Sequence, residues 1–330
     1  MDTRRIQVTQ GESYMITLPK DWAETMGLKK NDTVNLEVQP NGDLLVMPNK
    51  KADLERNMKR IDANGISDDF LYRQLVGAYI SGHDTIEVFS EGHLGHNASD
   101  IVNAFTQTSI GLEIVEEDNN RILIKDLMDH TEIRPSKSIE RESVLVRKMI
   151  SDVFESAYTG DVSYLSNVES RDMEVDRIHW LISRQSNIYK KNPSLCRKAE
   201  SDLCQLTKHL AVSRIIERIG DHAVLVSKHL TELTNEKKAD AIDKSIREFG
   251  EDILELYNSS IRAWIGNDMM AAEDCIEKGE KMVKKIEKTF RKTAIDLDTA
   301  SATSLIAGSS KRIAEYCIDI AELTINSAMD

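Results

Sequence analysis

Leu210-Ala-Val-Ser213-Arg214-Ile-Ile-Glu217-Arg218-Ile-Gly220-Asp221-His222-Ala223-Val224 decides the reading of this chain, because it sets two carboxylates where a helix should bury hydrocarbon. Leu206, Leu210, Ser213, Glu217, Gly220 and Val224 recur every three or four residues, the spacing that lines one face of a 3.6-residue helix. Glu217 therefore falls within the stripe, and Asp221 lies one turn further along the same side. A buried carboxylate needs an arginine, a hydrogen-bond network or a metal ion to offset its lost hydration. The plainer reading is an intrahelical pair of Arg214 with Glu217, which contributes only ~0.2–0.5 kcal/mol. On this stretch alone both readings stay open.

An echo near the C-terminus weighs between them. Arg312-Ile-Ala-Glu315-Tyr-Cys-Ile-Asp319-Ile-Ala321 repeats the pattern RxxExxxDxA of Arg214, Glu217, Asp221 and Ala223 at one fixed offset. Such a repeat implies that one structural unit occurs twice in the C-terminal region.

Working outward from the motif, Pro135 marks a boundary and Ser138 is placed to cap a first helix. Its core face is Leu145, Met149, Val153, Phe154 and Ala157. Gly160-Asp161 ends it and caps a second helix that stops before Asn192-Pro193. The motif sits on the third helix, from about Ser194 to Leu233. After a turn at Asn235-Glu-Lys-Lys come a fourth helix (about Asp240 to Ile265), a fifth after Gly266-Asn267-Asp268, and a sixth from Asp298 or Thr299. Short connections imply antiparallel neighbours, hence a pair of three-helix bundles with repeats 138–233 and 238–328.

The second helix of each repeat carries further acids. Glu169, Asp172, Asp176 and His179 step by three, four and three and share one face. Glu277, Glu280, Lys284 and Glu287 occupy the matching steps of the second repeat. A solvated acidic face is the common explanation of such a run. Facing helices with carboxylates at these spacings are also how bundles build metal sites. Oxygen-rich ligands with few imidazoles favour magnesium, manganese or iron over thiol-seeking metals. Lys284 supplies its own positive charge where the first repeat has Asp176, so the second repeat is expected to hold fewer ions or none.

The N-terminal residues read differently. Residues 4–9 and 13–18 alternate with period two around Gly11, and Pro19 opens a short helix, Lys20 to Met26, closed by Gly27. Val34 to Val38 and Leu44 to Met47 form a hairpin about Asn41-Gly42. Four short strands and a turn of helix cannot bury a stable core alone, and an intertwined dimer would solve this. Residues 51–135 then follow βαβαββ order. The strands are near Met58–Ile61, Thr85–Phe89, Leu112–Val115 and Ile122–Ile124, and the helices are Asp68–Ile80 and Ala98–Thr108. Glu91-Gly-His-Leu-Gly95 lacks GxGxxG and a Walker lysine, so no nucleotide loop is read there.

Charge limits the partners. The net of −13 argues against general nucleic-acid affinity, and residues 1–50 hold six basic and seven acidic side chains. Any DNA contact has to come from a local basic cluster in that first segment. Cys196, Cys204, Cys275 and Cys317 form no CxxC and suit free thiols in a reducing compartment. No apolar run reaches the ~20 residues of a membrane span, and the N-terminus shows no signal-peptide core, so a cytoplasmic location is expected.

Two resemblances add to this reading. Arg4-Arg5-Ile-Gln, Ser13-Tyr-Met-Ile-Thr-Leu-Pro-Lys20-Asp-Trp-Ala, Gly27-Leu-Lys-Lys-Asn-Asp32 and Asn-Gly-Asp-Leu before Pro48 together resemble the swapped-hairpin domain of the AbrB/SpoVT family over most of residues 3–48. That resemblance implies a β-barrel made by exchanging hairpins in a homodimer, with DNA contacts from Arg4, Arg5 and Lys20. Over residues 138–328 the paired motifs Glu217-Arg-Ile-Gly-Asp221 and Glu315-Tyr-Cys-Ile-Asp319 resemble the PhoU family of phosphate-uptake regulators. The resemblance implies six helices, no catalysis, and metal binding at Glu217, Asp221, Glu315 and Asp319, then at Asp172, Asp176 and Glu280. It also implies a phosphate transporter or signalling subunits as partners.

The expected architecture is therefore multidomain and mainly α. It comprises an N-terminal swapped-hairpin β-barrel (1–50), a small α/β domain with no assigned chemistry (51–135) and a six-helix double bundle (136–330). The expected function is a homodimeric, DNA-binding transcriptional regulator of phosphate uptake coupled to a metal-binding sensor bundle. The alternative is a signalling adaptor that docks on transporter or kinase subunits, its barrel serving only to dimerise. No nucleophile–base pair or phosphate-cradling loop accompanies the carboxylates, which sets a hydrolase aside.

Overall fold

The computed structural model describes residues 3–8, 13–38, 42–48, 57–192, 195–196, 203–235, 244–293 and 297–329. The chain divides into two compact units, Met1–Asn57 and Met58–Asp330. The expected turns at Gly11 and at Asn235-Glu-Lys-Lys, and the expected starts of the third and fourth bundle helices, lie outside the described residues.

In the first unit β1 (Gln7–Val8) pairs antiparallel with β2 (Tyr14–Met15), and β3 (Val34–Val38) with β4 (Leu44–Pro48). Between the two ladders, α1 (Lys20–Thr25) follows Pro19. It is closed by Gly27, whose φ of 60° is one that glycine adopts without strain. Among the described residues the ladders are two separate two-stranded sheets, and no barrel is closed within one chain, the expected barrel being one that two copies would share. The physical reason is size, since no described side chain between residues 3 and 48 is buried. Tyr14 is 79% exposed and Val38 72%.

The second unit opens with the expected βαβαββ order. Its elements are β5 (Met58–Asp62), α2 (Asp68–Ile80), β6 (Thr85–Phe89), α3 (His96–Thr108), β7 (Leu112–Glu117) and β8 (Arg121–Asp126). The sheet order is β5-β6-β8-β7, with β5 parallel to β6 and the other pairs antiparallel. Leu71, Leu75, Tyr79, Val102 and Phe105 of the helices pack on Ile61, Ile86, Val88, Ile122 and Ile124 of the strands. The parallel β5/β6 pair needs the α2 crossover, and this is why a helix of thirteen residues stands between them.

The helical region consists of α4 (Pro135–Thr159), a 3-10 turn (Val162–Asn167), α5 (Val168–Lys191), α6 (Leu203–Asn235), α7 (Lys244–Gly266), α8 (Met269–Thr293) and α9 (Leu297–Ala328). Ser138, expected as a cap, is instead a buried residue inside α4. The helix starts at Pro135 because proline lacks the N–H that a first turn leaves unpaired. Gly160 ends α4 at φ 77°, and the Asp161 carboxylate accepts from the Ser163 amide. The two repeats do not keep separate cores. One apolar cluster runs from Ile139 and Val146 on α4 through Ile216 and Ile219 on α6 to Ile313 and Ile320 on α9. α6 packs along α9, and α4 against α7.

Sheet and bundle, expected as separate domains, pack together through α5. Arg184 is fully buried and donates to the carbonyls of Tyr79 and His83 and to the Asp126 carboxylate. Asn187 and Lys191 donate to the carbonyls of Ile80 and Ser81, Gln185 to Ile133, and Tyr189 to His130. Trp180 of α5 packs on the apolar core of the sheet. At Gly82 a Cβ would fall 2.8 Å from Ile188 Cγ1, so glycine lets the end of α2 lie against α5.

Candidate functional site

The motif of α6 lies at the edge of the buried stripe rather than within it. Val212, Ile216, Ile219, Ala223 and Val226 form the core face, Glu217 is half-buried, and Asp221 is exposed. Asp172 and Asp176, half-buried on α5, face the motif from across the α5/α6 groove. A Cβ at Gly220 would lie 3.3 Å from Asp172 Oδ1, so this glycine is what lets a carboxylate of α5 approach the backbone of α6.

Electrostatics follow from this crowding. Burial, then the negative charge of Asp221, raises the Asp172 pKa to about 6. Burial and the charges of Asp172, Glu217 and Asp221 raise Asp176 to about 7. Glu217 is raised by burial and by Asp221 against the opposing pull of Arg214 and Arg218. Asp221 is raised by partial desolvation, which outweighs the lowering effect of His222 and Arg218. Arg214 thus belongs to the environment of Glu217, as the plainer reading expected, but it does not cancel the repulsion.

Behind the four acids lies a buried polar chain whose central role the sequence pattern did not bring forward. His179 Nδ1 is 2.9 Å from Ser213 Oγ, which donates to Glu142 Oε1 at 3.0 Å. Glu142 is fully buried, and its Oε2 has no hydrogen-bond partner. Burial, together with the charges of Glu217 and Asp176, raises its pKa well above the usual carboxylate range despite the Ser213 bond. Burial likewise depresses His179 to about 4, so its ring is neutral. The signal was present: Ile139, Glu142, Val146, Met149 and Val153 step by three and four, which puts Glu142 inside the core stripe of α4.

The second repeat is organised differently. Glu280 and Glu277 are exposed and ion-paired one turn along α8 with Lys284 (3.7 Å) and Lys281 (3.3 Å). Glu315 pairs with Arg312 at 3.0 Å and with Lys311 at 3.6 Å. Asp319 is exposed, and partial desolvation with the charges of Glu322 and Glu315 raises its pKa against the lowering pull of Arg218 and Arg312. The two third helices meet here, with the His222 and Tyr316 rings 5.8 Å apart. The structure therefore groups Asp172, Asp176, Glu217 and Asp221, pairs Glu280 and Glu315 with lysines and an arginine, and leaves Asp319 between acids and arginines.

The fit of these donors to a metal ion is partial. As the side chains stand, no group of three or more His, Cys, Asp or Glu among the described residues is set to hold one. The first repeat has the charge for a cation but not the converged ligand set, and in the second repeat Glu280 and Glu315 are already paired with lysines and an arginine. In the N-terminal unit Arg4 and Arg5 precede β1 and Lys20 opens α1, all three exposed, with Lys20 3.6 Å from Glu24. No helix among the described residues is long and apolar enough to cross a membrane.

Comparison with known proteins matches residues 7–53 to the family described as antidote-toxin recognition MazE, bacterial antitoxin, and residues 139–230 to the PhoU domain. The second match spans the first helical repeat. Two relatives, each a phosphate-specific transport system accessory protein PhoU homolog from a strain of Caulobacter vibrioides, are 34% identical over 103 residues, 31% of this chain. The chain spans 42% of the length of these relatives. Crystal structures of PhoU from Pseudomonas aeruginosa (16% identity, TM-score 0.48) and from Streptococcus pneumoniae (15%, 0.49) each cover 58% of this chain. The match takes in 93% and 91% of those chains, respectively. Residues 139–230 thus match a PhoU domain and residues 7–53 a MazE-type antitoxin segment.

Proposed function

We propose that the chain is a homodimeric regulator of phosphate transport, its N-terminal unit contacting DNA and its helical region sensing the cell's state or docking a transporter-associated partner. The observation that carries this reading is the pairing on one chain of a PhoU domain with an antitoxin-type N-terminal segment. Dimerisation is supported by that segment's exposed apolar side chains, Ile6, Val8, Tyr14, Leu36, Val38 and Leu44, which a second copy would cover. Control through such a dimer requires a ligand with different affinity for two packings of the bundle.

A divalent cation between Asp172, Asp176, Glu217 and Asp221 belongs to this proposal. Bound there it would neutralise the mutual repulsion of four carboxylates, whose oxygens would have to turn toward it. Magnesium, manganese or iron suits such donors. Elemental analysis checks this. Glu217→Ala with Asp221→Ala is expected to lower bound metal per chain, and an unchanged content would make these ordinary structural carboxylates.

The experiment on the DNA reading is fluorescence anisotropy on duplex DNA from the protein's own upstream region, with a salt titration. Specific binding is expected to exceed that to random DNA by about a thousandfold and to vanish in Arg4→Ala/Arg5→Ala. Binding no tighter than to random DNA would favour the second reading, an adaptor whose N-terminal unit only dimerises. The excess of acidic over basic side chains in residues 1–50 and the Lys20–Glu24 pair are the observations on that side.

A further inference from the structure

β5 and β7 are the edges of the four-stranded sheet, and they differ in kind. β7 carries a bulge between Ile114 and Glu116, together with Glu113, Glu116 and Glu117, the devices by which a sheet edge turns other strands away. β5 runs along β6 without a register shift. The Ala63 amide donates to the Phe89 carbonyl at 2.9 Å, so Lys59, Ile61 and Ala63 direct their backbone groups at β6. Met58, Arg60 and Asp62 therefore direct theirs outward. Among the described residues no backbone bond ends on that outward row.

The side chains beside the row are complementary to a second copy of themselves. Arg60 and Asp62 are exposed and share the face opposite to Ile61, which is buried against the helices. Two antiparallel β5 strands can be centred on Arg60, Ile61 or Asp62 with their outward rows facing each other. Centred on Arg60, arginine meets arginine, and centred on Asp62, aspartate meets aspartate. Centred on Ile61, Arg60 of each copy stands opposite Asp62 of the other, and Lys59 stands opposite Ala63. An edge guarded by charges of one sign would repel itself in every register. Arg60 already pairs with Glu87 and stacks 4.6 Å from the centre of the Phe89 ring, but a guanidinium has five N–H donors and can serve a second carboxylate. On the helix side a groove of about 470 Å³ passes Lys59, Ile61, Gln74 and Gly77. A Cβ at Gly77 would meet nothing within 4 Å, so α2 leaves the flank of the strand open.

We propose that β5 pairs antiparallel with β5 of a second copy about a two-fold axis at Ile61, joining two four-stranded sheets into one of eight. A five-residue ladder buries well under the ~1,000 Å² of a stable interface, so the pairing rests on dimerisation through the N-terminal unit. β4 ends at Pro48 and β5 begins at Met58, so a dimer held through residues 3–48 keeps the second β5 at a high effective concentration.

Cysteine cross-linking of the full chain tests the pairing, with Cys204→Ser removing the exposed thiol. Lys59 and Ala63 of two copies would form a non-hydrogen-bonded pair with Cα atoms ~4.5 Å apart, within disulfide reach. Under copper phenanthroline, Lys59→Cys/Ala63→Cys is expected to form a disulfide-linked dimer at least about tenfold faster than either single variant. The single variants would set their two thiols four residues apart along the ladder, ~13 Å. Adding Asp62→Lys is expected to slow the linkage about tenfold, since two opposite-charge pairs become like-charge pairs. Without any substitution, the Arg60 and Asp62 amides are expected to exchange hydrogen at least about tenfold more slowly in the dimer than in the monomer obtained by dilution. Sedimentation of the same samples separates the two ways of failing. A dimer that does not cross-link, that links as fast through Lys59→Cys alone, or whose Arg60 and Asp62 amides are no slower than the monomer's overturns the β5 pairing and leaves the N-terminal dimer standing. Linkage unchanged by Asp62→Lys overturns the Ile61-centred register. A chain that sediments as a monomer overturns both the pairing and the N-terminal dimer.

Discussion

Asp176 shows how one residue's surroundings set its charge. It sits half-buried among Asp172, Glu217 and Asp221, and the fold holds its pKa at about 7 against an ordinary value of 3.8. The folded chain therefore keeps a proton that the unfolded chain releases. The stability this proton contributes is present at low pH and is lost as pH rises through the interval from about 4 to about 7. Asp176→Asn removes both the titration and the repulsion. Its melting temperature is expected to exceed that of the parent at about pH 8 and to approach it below about pH 5. Equal melting temperatures at both pH values would mean that neither burial nor the neighbouring acids shift Asp176. The comparison has to be with the variant because His179, depressed to about 4, acts in the opposite sense. Its neutral ring favours the fold, a contribution lost as pH falls below the unfolded value of 6.5.

At the scale of elements, α5 belongs to two structures at once. Its first half presents Asp172 and Asp176 to α6, and its second half carries Arg184, Asn187, Tyr189 and Lys191 into the sheet domain. The Arg184 guanidinium serves three acceptors at once, two carbonyls and a carboxylate. Burial works against the Asp126 charge, yet the bond from His130 and the attraction of Arg184 hold its pKa below the usual value. Arg184→Met leaves that carboxylate buried without its guanidinium and takes a donor from the Tyr79 and His83 carbonyls. It is expected to cost about 3–5 kcal/mol, as breaking a buried ion pair does, read by urea denaturation. Hydrogen exchange should speed up first along β8 and the end of α2. A loss under about 1 kcal/mol would show that apolar contacts such as Trp180 hold the sheet in place without the arginine.

For the whole molecule, the contrast is between a helical region with one continuous core and an N-terminal unit with none among its described residues. Leu36 and Val38, 63% and 72% exposed, lie on β3 among the apolar side chains that a second copy would cover. Leu36→Glu/Val38→Glu is expected to convert a dimer to a monomer in sedimentation, because two charges from each copy would have to be buried at the interface. The far-ultraviolet helix signal should be kept, since the long helices belong to the other unit. A variant that remains dimeric would place the dimer contact elsewhere.

Much of this was legible from local pattern. The helices Asp68–Ile80 and Lys20–Thr25, the strands Thr85–Phe89 and Val34–Val38, and the doubled RxxExxxDxA motif all rest on periodicity, glycine or proline signals that act within a few residues. Periodicity also showed which acids share a helix face, Asp172 with Asp176 on one helix and Glu217 with Asp221 on another, while the resemblance ranked Glu315 and Asp319 beside the second pair. It could not show which of those faces would be neutralised. Glu280 meets Lys284 on its own helix, whereas Asp176 meets other carboxylates from across a groove, a difference that depends on which helices pack together. Nor could it foresee Arg184 reaching from a bundle helix to carbonyls more than 100 residues earlier in sequence. The sequence by itself determined the elements and the repeat, because hydrogen bonding and patterning along the chain are local. Only the tertiary structure decided which charges stay uncompensated and where the sheet is anchored, because burial and Coulomb interactions depend on distances between segments remote in sequence.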